Sequence, residues 1–127
     1  MHLHAITLVV PDYDAAIAFY RDAMGFDLIE DTDLGGGKRW VLVAPAGGQT
    51  RLLLAKAVTD RQRAAIGAQT GERVGFFLHS DDFSAHHARL QAAGVVFEET
   101  PRHEPYGTVA VFRDPFGNRW DLLHLSR

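Results

Sequence analysis

Several features are scarce in this sequence, and each absence excludes a class of protein. The chain has no cysteine, which excludes disulfide bonds and thiolate metal sites and fits a reducing compartment. It has no block of basic residues and a formal net charge of -3, so neither nucleic acid nor a membrane surface is an expected partner. No apolar run approaches the length of a membrane span, and no secretory leader is expected, so we predict a cytoplasmic protein.

The composition that remains is that of an ordinary globular protein. Of the 127 residues, 46% are hydrophobic and 23% are charged, which is enough to build a core and predicts one compact domain, residues 1–127. Seven histidines are the only unusual chemical resource.

The first half of the chain shows a regular succession of predicted strands and one helix. Residues 3–10 predict a strand that ends at Pro11, with Asp12 as the N-cap of an amphipathic helix that closes at Gly25. Three strands follow, with a glycine turn at residues 35–37, and they lie in the stretches FDLIEDT, RWVLVAP and TRLLLAKA.

The same pattern returns in the second half. Gly25 lies 13 positions after Asp12, and Gly94 lies 13 positions after Asp81, which is a candidate N-cap together with Asp82. Strands are predicted before this second helix, in VGFFLH, and after it, in VVFEET, YGTVAVFR and NRWDLLHL. The repeat predicts an α+β fold of two tandem β-α-β-β-β modules, residues 1–55 and 74–127, joined by a polar connector at 56–73 that holds one short helix.

The stretch DPFGNRWDLLH contains a tight turn that leads into the last strand. Asp114 and Pro115 begin the turn, and Gly117 or Asn118 can take the positive φ that closes it. Trp120 and Leu122 share the face expected in the core, so Asp121 between them points to the opposite face. That face either meets water or lines a pocket that uses a carboxylate.

These features resemble the vicinal oxygen chelate superfamily, which includes glyoxalase I, bleomycin-resistance proteins, fosfomycin-resistance proteins and extradiol dioxygenases. The stretch TLVVPDYDAAIAFYRDAMGFDLIED is similar to the family's opening segment, and FRDPFGNRWDLL is similar to its closing hairpin. The resemblance implies that the sheets curl around a cup-shaped cavity whose inner face holds the site. It does not imply one activity, because the scaffold carries many functions.

The resemblance also implies up to four inward metal-ligand positions, and this chain fills only one of them. Asp121 occupies the position of a ligating glutamate, whereas Ala5, Gly75 and, within one residue of register, Leu54 occupy the others. His4 is displaced by one residue and points away unless a β-bulge turns it inward. A lone carboxylate holds a divalent ion poorly, so we expect no cofactor, with a divalent metal as the alternative.

The predicted ligand-binding residues share the inward faces of their strands: Thr7, Trp40, Phe77, His79 and Asp121. Asp121 and His79 are also the candidate catalytic residues. Each has a structural alternative, because Asp121 can pair with Arg119 or with an amide of a neighbouring strand, and His79 can bond the backbone at a strand end. On the second helix one of His86 and His87 is expected to be half-buried, His103 to lie on a loop, and His124 to be structural.

Two functions follow from the resemblance. The first is the binding of a small organic molecule in the cup without a tightly held metal, as in the bleomycin-resistance branch. The second is a metal-dependent lyase, isomerase or dioxygenase of the glyoxalase type, with Asp121 as a ligand or proton shuttle. In both cases the exposed sheet edges and apolar faces favour a homodimer.

Overall fold

The computed structural model describes residues 1–126 of the chain. The chain forms two compact units, Met1–Ile66 and Gly67–Arg127. The boundary falls inside the polar connector predicted at residues 56–73. That the two modules form a single domain stays a prediction.

The first unit is a mixed sheet with helices at its connections. Its strands are β1 (Ala5–Val10), β2 (Asp27–Gly35), β3 (Lys38–Ala44) and β4 (Arg51–Lys56), in the spatial order β1-β4-β3-β2. Strands β1 and β4 run parallel, and the other neighbours are antiparallel. Helix α1 (Tyr13–Ile17) continues as a π-helix over Ala18–Ala23, and α2 (Asp60–Ala65) follows β4.

The ends of the first helix match the sequence prediction, but its second half does not. The Asp12 carboxylate accepts a hydrogen bond from the Ala15 N–H at 2.8 Å, and Gly25 takes a φ of 75° just after the helix. The predicted α-helix instead widens into π-helical turns, in which the Met24 N–H donates to the Phe19 carbonyl at 3.1 Å. Tyr20 is fully buried in this segment.

The faces of the first sheet follow the predicted alternation. Leu8 and Val10 are fully buried, as are Val41 and Leu54, their neighbours in β3 and β4. Thr7 and Val9 point to the opposite face of the sheet, which is more open to solvent. The core of this unit therefore lies on the Leu8 side, and a second, accessible face remains.

The second unit repeats this topology. Its strands are β5 (Phe76–His79), β6 (Arg102–Glu104), β7 (Gly107–Arg113) and β8 (Arg119–Leu125), in the order β5-β8-β7-β6, and helix α3 spans Phe83–Ala92. Strands β5 and β8 are parallel, as β1 and β4 are. The side chain of Asp82 caps α3 by accepting from the Ala85 N–H at 3.2 Å. The α+β class and the tandem β-α-β-β-β repeat are therefore confirmed.

The prediction of a strand in VVFEET is wrong. Residues 95–100 form only an isolated bridge, Phe97 with Phe112, and the fourth strand is β6. A side chain explains why no strand forms here. The Glu99 carboxylate accepts a hydrogen bond from the Val111 N–H at 3.1 Å, and in a regular strand pair a backbone carbonyl would accept that bond. The Glu98 N–H still donates to the Val111 carbonyl at 2.8 Å. A carboxylate thus replaces one of the backbone hydrogen-bond acceptors expected in the β-ladder.

The closing turn is organised by Asp114. This side chain is 4% exposed and accepts hydrogen bonds from the Phe116 and Asn118 N–H groups at 3.0 and 2.9 Å. Its second oxygen accepts from the indole N–H of Trp120 at 3.0 Å. Gly117, with a φ of 97°, closes the turn. Trp120 and Leu122 are 3% and 1% exposed, which confirms them as core residues.

Candidate functional site

The accessible face of the first sheet holds a pocket of about 550 Å³. Register places its central residues side by side, because Thr7 pairs with Leu53 and Val9 with Ala55. Trp40 comes from the neighbouring strand β3 and forms an aromatic wall. Thr7 and Trp40 are both predicted ligand-binding residues, and this pocket brings them together.

One margin of this pocket is fixed by Arg39. Its guanidinium bonds the carboxylates of Asp31 at 2.6 Å and Asp14 at 2.9 Å. The same guanidinium lies 5.1 Å from the ring centre of Tyr13, a cation–π distance. The Arg39 hydrogen bond lowers the pKa of Asp31. Arg39 is therefore a positioned, neutralised cation, which holds β2, β3 and the start of α1 together.

In the second unit, Asp121 lies on the face opposite the core. Strand pairing sets it between Phe77 of β5 and Val111 of β7. Its Oδ1 atom is buried and has no hydrogen-bond partner among residues 1–126. Burial raises the pKa of the Asp121 carboxyl; Glu99 also raises it, and Arg102 and Arg119 oppose the shift.

The cations near Asp121 are engaged elsewhere. Arg119 bonds both oxygens of Glu98 at 2.9 Å, and it also donates to the Glu72 carbonyl at 3.0 Å. Arg102 bonds Glu99 at 2.7 Å and Glu104 at 2.9 Å. The alternative interpretation, in which Asp121 pairs with Arg119, is therefore wrong. The Oδ1 atom of Asp121 therefore stays buried without a hydrogen-bond partner among residues 1–126.

Phe77 and His79 lie on the same face as Asp121, but they differ in what they contact. Phe77 is directly beside Asp121 and is 66% exposed, an unusual state for a large apolar side chain. His79 pairs with Leu123, two residues further along β8. The Nε2 atom of His79 accepts from the Leu125 N–H at 3.2 Å, so this ring has the backbone bond that the structural alternative predicted.

A cavity of about 450 Å³ lies at the start of α3, and sequence reasoning missed it. It is lined by three imidazoles, His87, His103 and His124, together with Thr108 and residues of the helix start. His103 lies in β6 and contacts the Thr108 hydroxyl at 3.2 Å, so the prediction that it lies on a loop is wrong. The pairing of β6 with β7 put it there, and no sequence signal identified β6.

The other histidines on this side have structural contacts. His124 donates from Nδ1 to the Ser80 carbonyl at 2.7 Å, and the ring of His87 lies 4.2 Å from that of Phe97. His87 is half-buried and His86 is exposed, as expected for neighbouring helix positions. His4 is exposed and precedes β1, whose register with β4 is continuous from Ala5, so no bulge turns it inward.

The residues at the metal-ligand positions that the resemblance implies do not form a binding site for a divalent ion. Ala5 shares the face of Thr7 and offers no donor. At Gly75, a Cβ atom would meet the Thr70 Cγ2 at 2.9 Å, so even a small side chain would require Thr70 to move. Leu54 is buried in the core, and the face beside Thr7 carries Leu53 instead. No group of three potential metal ligands forms among residues 1–126.

Comparison with known proteins places this geometry in a family. The family model described as Glyoxalase/Bleomycin resistance protein/Dioxygenase superfamily matches residues 2–122. An uncharacterized protein of Shewanella frigidimarina is 50% identical over 123 residues, which are 95% of this chain and 91% of that protein.

Two solved structures are similar over almost the whole chain. UcmS2 superposes with a TM-score of 0.83 and 32% identity, over 97% of each chain. TnmS3, described as an antibiotic binding protein from Streptomyces sp. CB03234, has a TM-score of 0.80 and 35% identity, over 99% of this chain and 97% of its own.

Proposed function

The chain belongs to the glyoxalase/bleomycin resistance protein/dioxygenase superfamily, and we propose that it binds a small organic molecule without a tightly held metal. The observation that carries the proposal is the pocket of about 550 Å³ that contains Thr7 and Trp40. Small-molecule sites are typically concave, mostly apolar and roughly 300–1,000 Å³ in volume, with few polar groups. This pocket has those properties.

The similarity to an antibiotic-binding protein supports the same conclusion. TnmS3 shares 35% of its sequence with this chain, and its description states antibiotic binding. A sequestering protein needs an aromatic surface and a few polar contacts, but no catalytic apparatus. Trp40 and Thr7 supply such contacts in the first unit.

For the second unit taken by itself, we propose that Phe77 and Asp121 contact a small-molecule ligand. Phe77 offers an exposed ring, and the half-buried carboxyl group of Asp121 lies beside it. If a reaction occurs, Asp121 is the candidate acid or base, since its raised pKa keeps a proton on the carboxyl to higher pH. His79 is the weaker candidate, because its Nε2 already accepts a backbone hydrogen bond.

No specific observation favours the alternative of a metal-dependent lyase, isomerase or dioxygenase. Such an enzyme needs three or four converging donors, and only Asp121 carries one at the family positions. The proposal also includes a homodimer in the cytoplasm, with no role for nucleic acid or membrane. None of the helices in the described part of the chain has the length and apolar character needed to cross a membrane.

The proposal is tested by a thermal-shift screen of polycyclic aromatic compounds on purified protein. We expect at least one compound at saturating concentration to raise the Tm by several degrees, because a ligand that binds only the folded state stabilises it. The shift should persist in Tyr106→Leu, which removes an exposed aromatic ring from the second unit. It should be lost in Trp40→Leu. An undiminished shift in Trp40→Leu, or no shift with any compound, would overturn the proposal.

A further inference from the structure

The charged residues that line the pocket of about 550 Å³, called here the Trp40 pocket, are all of one sign. Three cations line it, Lys38, Arg39 and Lys56, and no carboxylate does. The whole chain has 16 acidic and 13 basic residues, so its average surface predicts no such bias. The pocket therefore differs in electrostatic character from the rest of the protein.

Two of the three cations are available to a ligand. Arg39 is neutralised by Asp14 and Asp31. Lys38 and Lys56, in contrast, form no ion pair among residues 1–126, and both are exposed. Strand order brings them to one end of the pocket, since β3 begins with Lys38 where the antiparallel strand β4 ends with Lys56. Lys38 has the same strand parity as Trp40, whereas Lys56 pairs with Val10 and leaves β4 from the opposite face, at the rim of the pocket.

The rest of the pocket lining is mostly apolar, with Thr7, Tyr13 and Gln62 as its uncharged polar side chains. Val9, Leu53 and Ala55 form its floor, and Trp40 forms a wall. The acidic residues on the same sheet face, Asp27 and Glu30, belong to the outer strand β2, and neither lines the pocket. The Glu30 carboxylate accepts from the Thr32 hydroxyl at 2.9 Å. An apolar body in the pocket would thus have its polar end beside positive charge.

Resting on the proposed function, we propose that the ligand of this pocket is a flat aromatic molecule that carries an anionic group, such as a carboxylate or phenolate, held beside Lys38 on the pocket face with Lys56 at the rim. The ring stacks on or packs against Trp40, and the anion meets ammonium groups that lack a protein counter-ion. A neutral ligand of the same shape gains only the apolar contacts. A cationic ligand is repelled.

The test uses a matched set of fluorescent probes: 2-anthracenecarboxylate, its neutral carboxamide, and the cationic 2-(aminomethyl)anthracene. Affinities are measured for the wild-type protein and for the double variant Lys38→Gln/Lys56→Gln. Arg73→Gln is the control, since it removes an exposed cation from the second unit. We expect the wild-type protein to bind the carboxylate about five- to tenfold more tightly than the carboxamide, and the cation most weakly.

In the double variant this preference for the carboxylate should disappear while the carboxamide affinity stays the same, and Arg73→Gln should behave as the wild type. Equal binding of carboxylate and carboxamide by the wild type, or a preference that survives in the double variant, would overturn the inference and leave the proposed function standing. If no probe of any charge binds, and Trp40→Leu changes nothing, the proposed function fails, and the inference fails with it.

Discussion

At Asp121, burial and the neighbouring cations have opposite effects on the pKa of the carboxyl group. Burial raises the pKa of this carboxyl, and the nearby cations that would offset burial are bonded to Glu98 and Glu99. The carboxyl remains partly open to solvent, so the cost of its charge is small. This combination is typical of a group that is kept for a ligand and not for the fold.

We predict that Asp121→Asn changes the free energy of unfolding by roughly 1 kcal/mol or less at neutral pH. Because the folded-state pKa of Asp121 is raised, the folded state holds its proton to higher pH than the unfolded state does. The wild type therefore loses stability relative to Asp121→Asn as pH rises above about 4, the unfolded value. Urea unfolding at several pH values measures this difference.

Trp120→Ala is the contrasting variant. It removes a ring that is 3% exposed and stacked 4.5 Å from Phe76, so we expect a loss of about 3–5 kcal/mol. If Asp121→Asn unfolds the protein while Trp120→Ala is tolerated, the two faces of β8 have been assigned the wrong way round.

Side-chain direction was the most predictable property at this scale. Strand alternation alone placed Trp120 and Leu122 in the core and Asp121 opposite them. It could not tell Leu54 from Leu53, since an error of one residue reverses the face. Nor could it show that Arg119 bonds Glu98, because that pair joins residues 21 positions apart.

Among the elements, the segment at residues 95–100 depends on one side chain. Glu99 accepts from the Val111 N–H and also bonds Arg102. We predict that Glu99→Ala lowers the free energy of unfolding by about 1–3 kcal/mol, because it leaves a part-buried N–H without its acceptor. Glu99→Gln, which keeps an acceptor oxygen, should cost less. Chemical denaturation measures both variants.

Glu104→Ala is the matched control for the ion pair with Arg102. It removes a partly exposed carboxylate that bonds the same guanidinium at 2.9 Å, so we expect a loss of about 0–1 kcal/mol. Equal losses in Glu99→Ala and Glu104→Ala would mean that the bond to Val111 contributes nothing to this segment.

Capping residues and glycines made most elements predictable. Asp12 and Asp82 accept the hydrogen bonds expected of N-caps, and Gly117 takes the positive φ of the closing turn. The exception was the fourth strand of the second sheet, where the apolar segment VVFEET was favoured over the charged β6 (Arg102–Glu104). Local propensity cannot reveal that a carboxylate replaces a ladder bond.

For the whole molecule, we predict a homodimer. Phe77 is a large apolar side chain left 66% exposed on a sheet face, and such a face is commonly covered by a ligand or a second chain. Sedimentation velocity at micromolar concentration should show a species of twice the chain mass. Observation of only the 14.1 kDa species would contradict this prediction.

We also predict that the purified, tag-free protein carries no stoichiometric metal after dialysis. The reason is the donor set at the family positions, in which Ala5, Gly75 and the leucines of β4 accompany Asp121. Elemental analysis measures this directly. One equivalent of Zn, Ni, Mn or Fe that is retained by the wild type and lost in Asp121→Ala would reverse the order of the two functions.

The central claim is that an aromatic small molecule binds against Trp40, and the two tryptophans of the chain allow a direct test. Protein labelled with ¹⁵N at the indole nitrogens gives one N–H signal for each. On titration with 2-anthracenecarboxylate we predict that the Trp40 signal shifts and saturates. The Trp120 signal should stay in place, because its N–H is bonded to Asp114 in the core. A Trp40 signal that does not move at saturating probe would contradict the account.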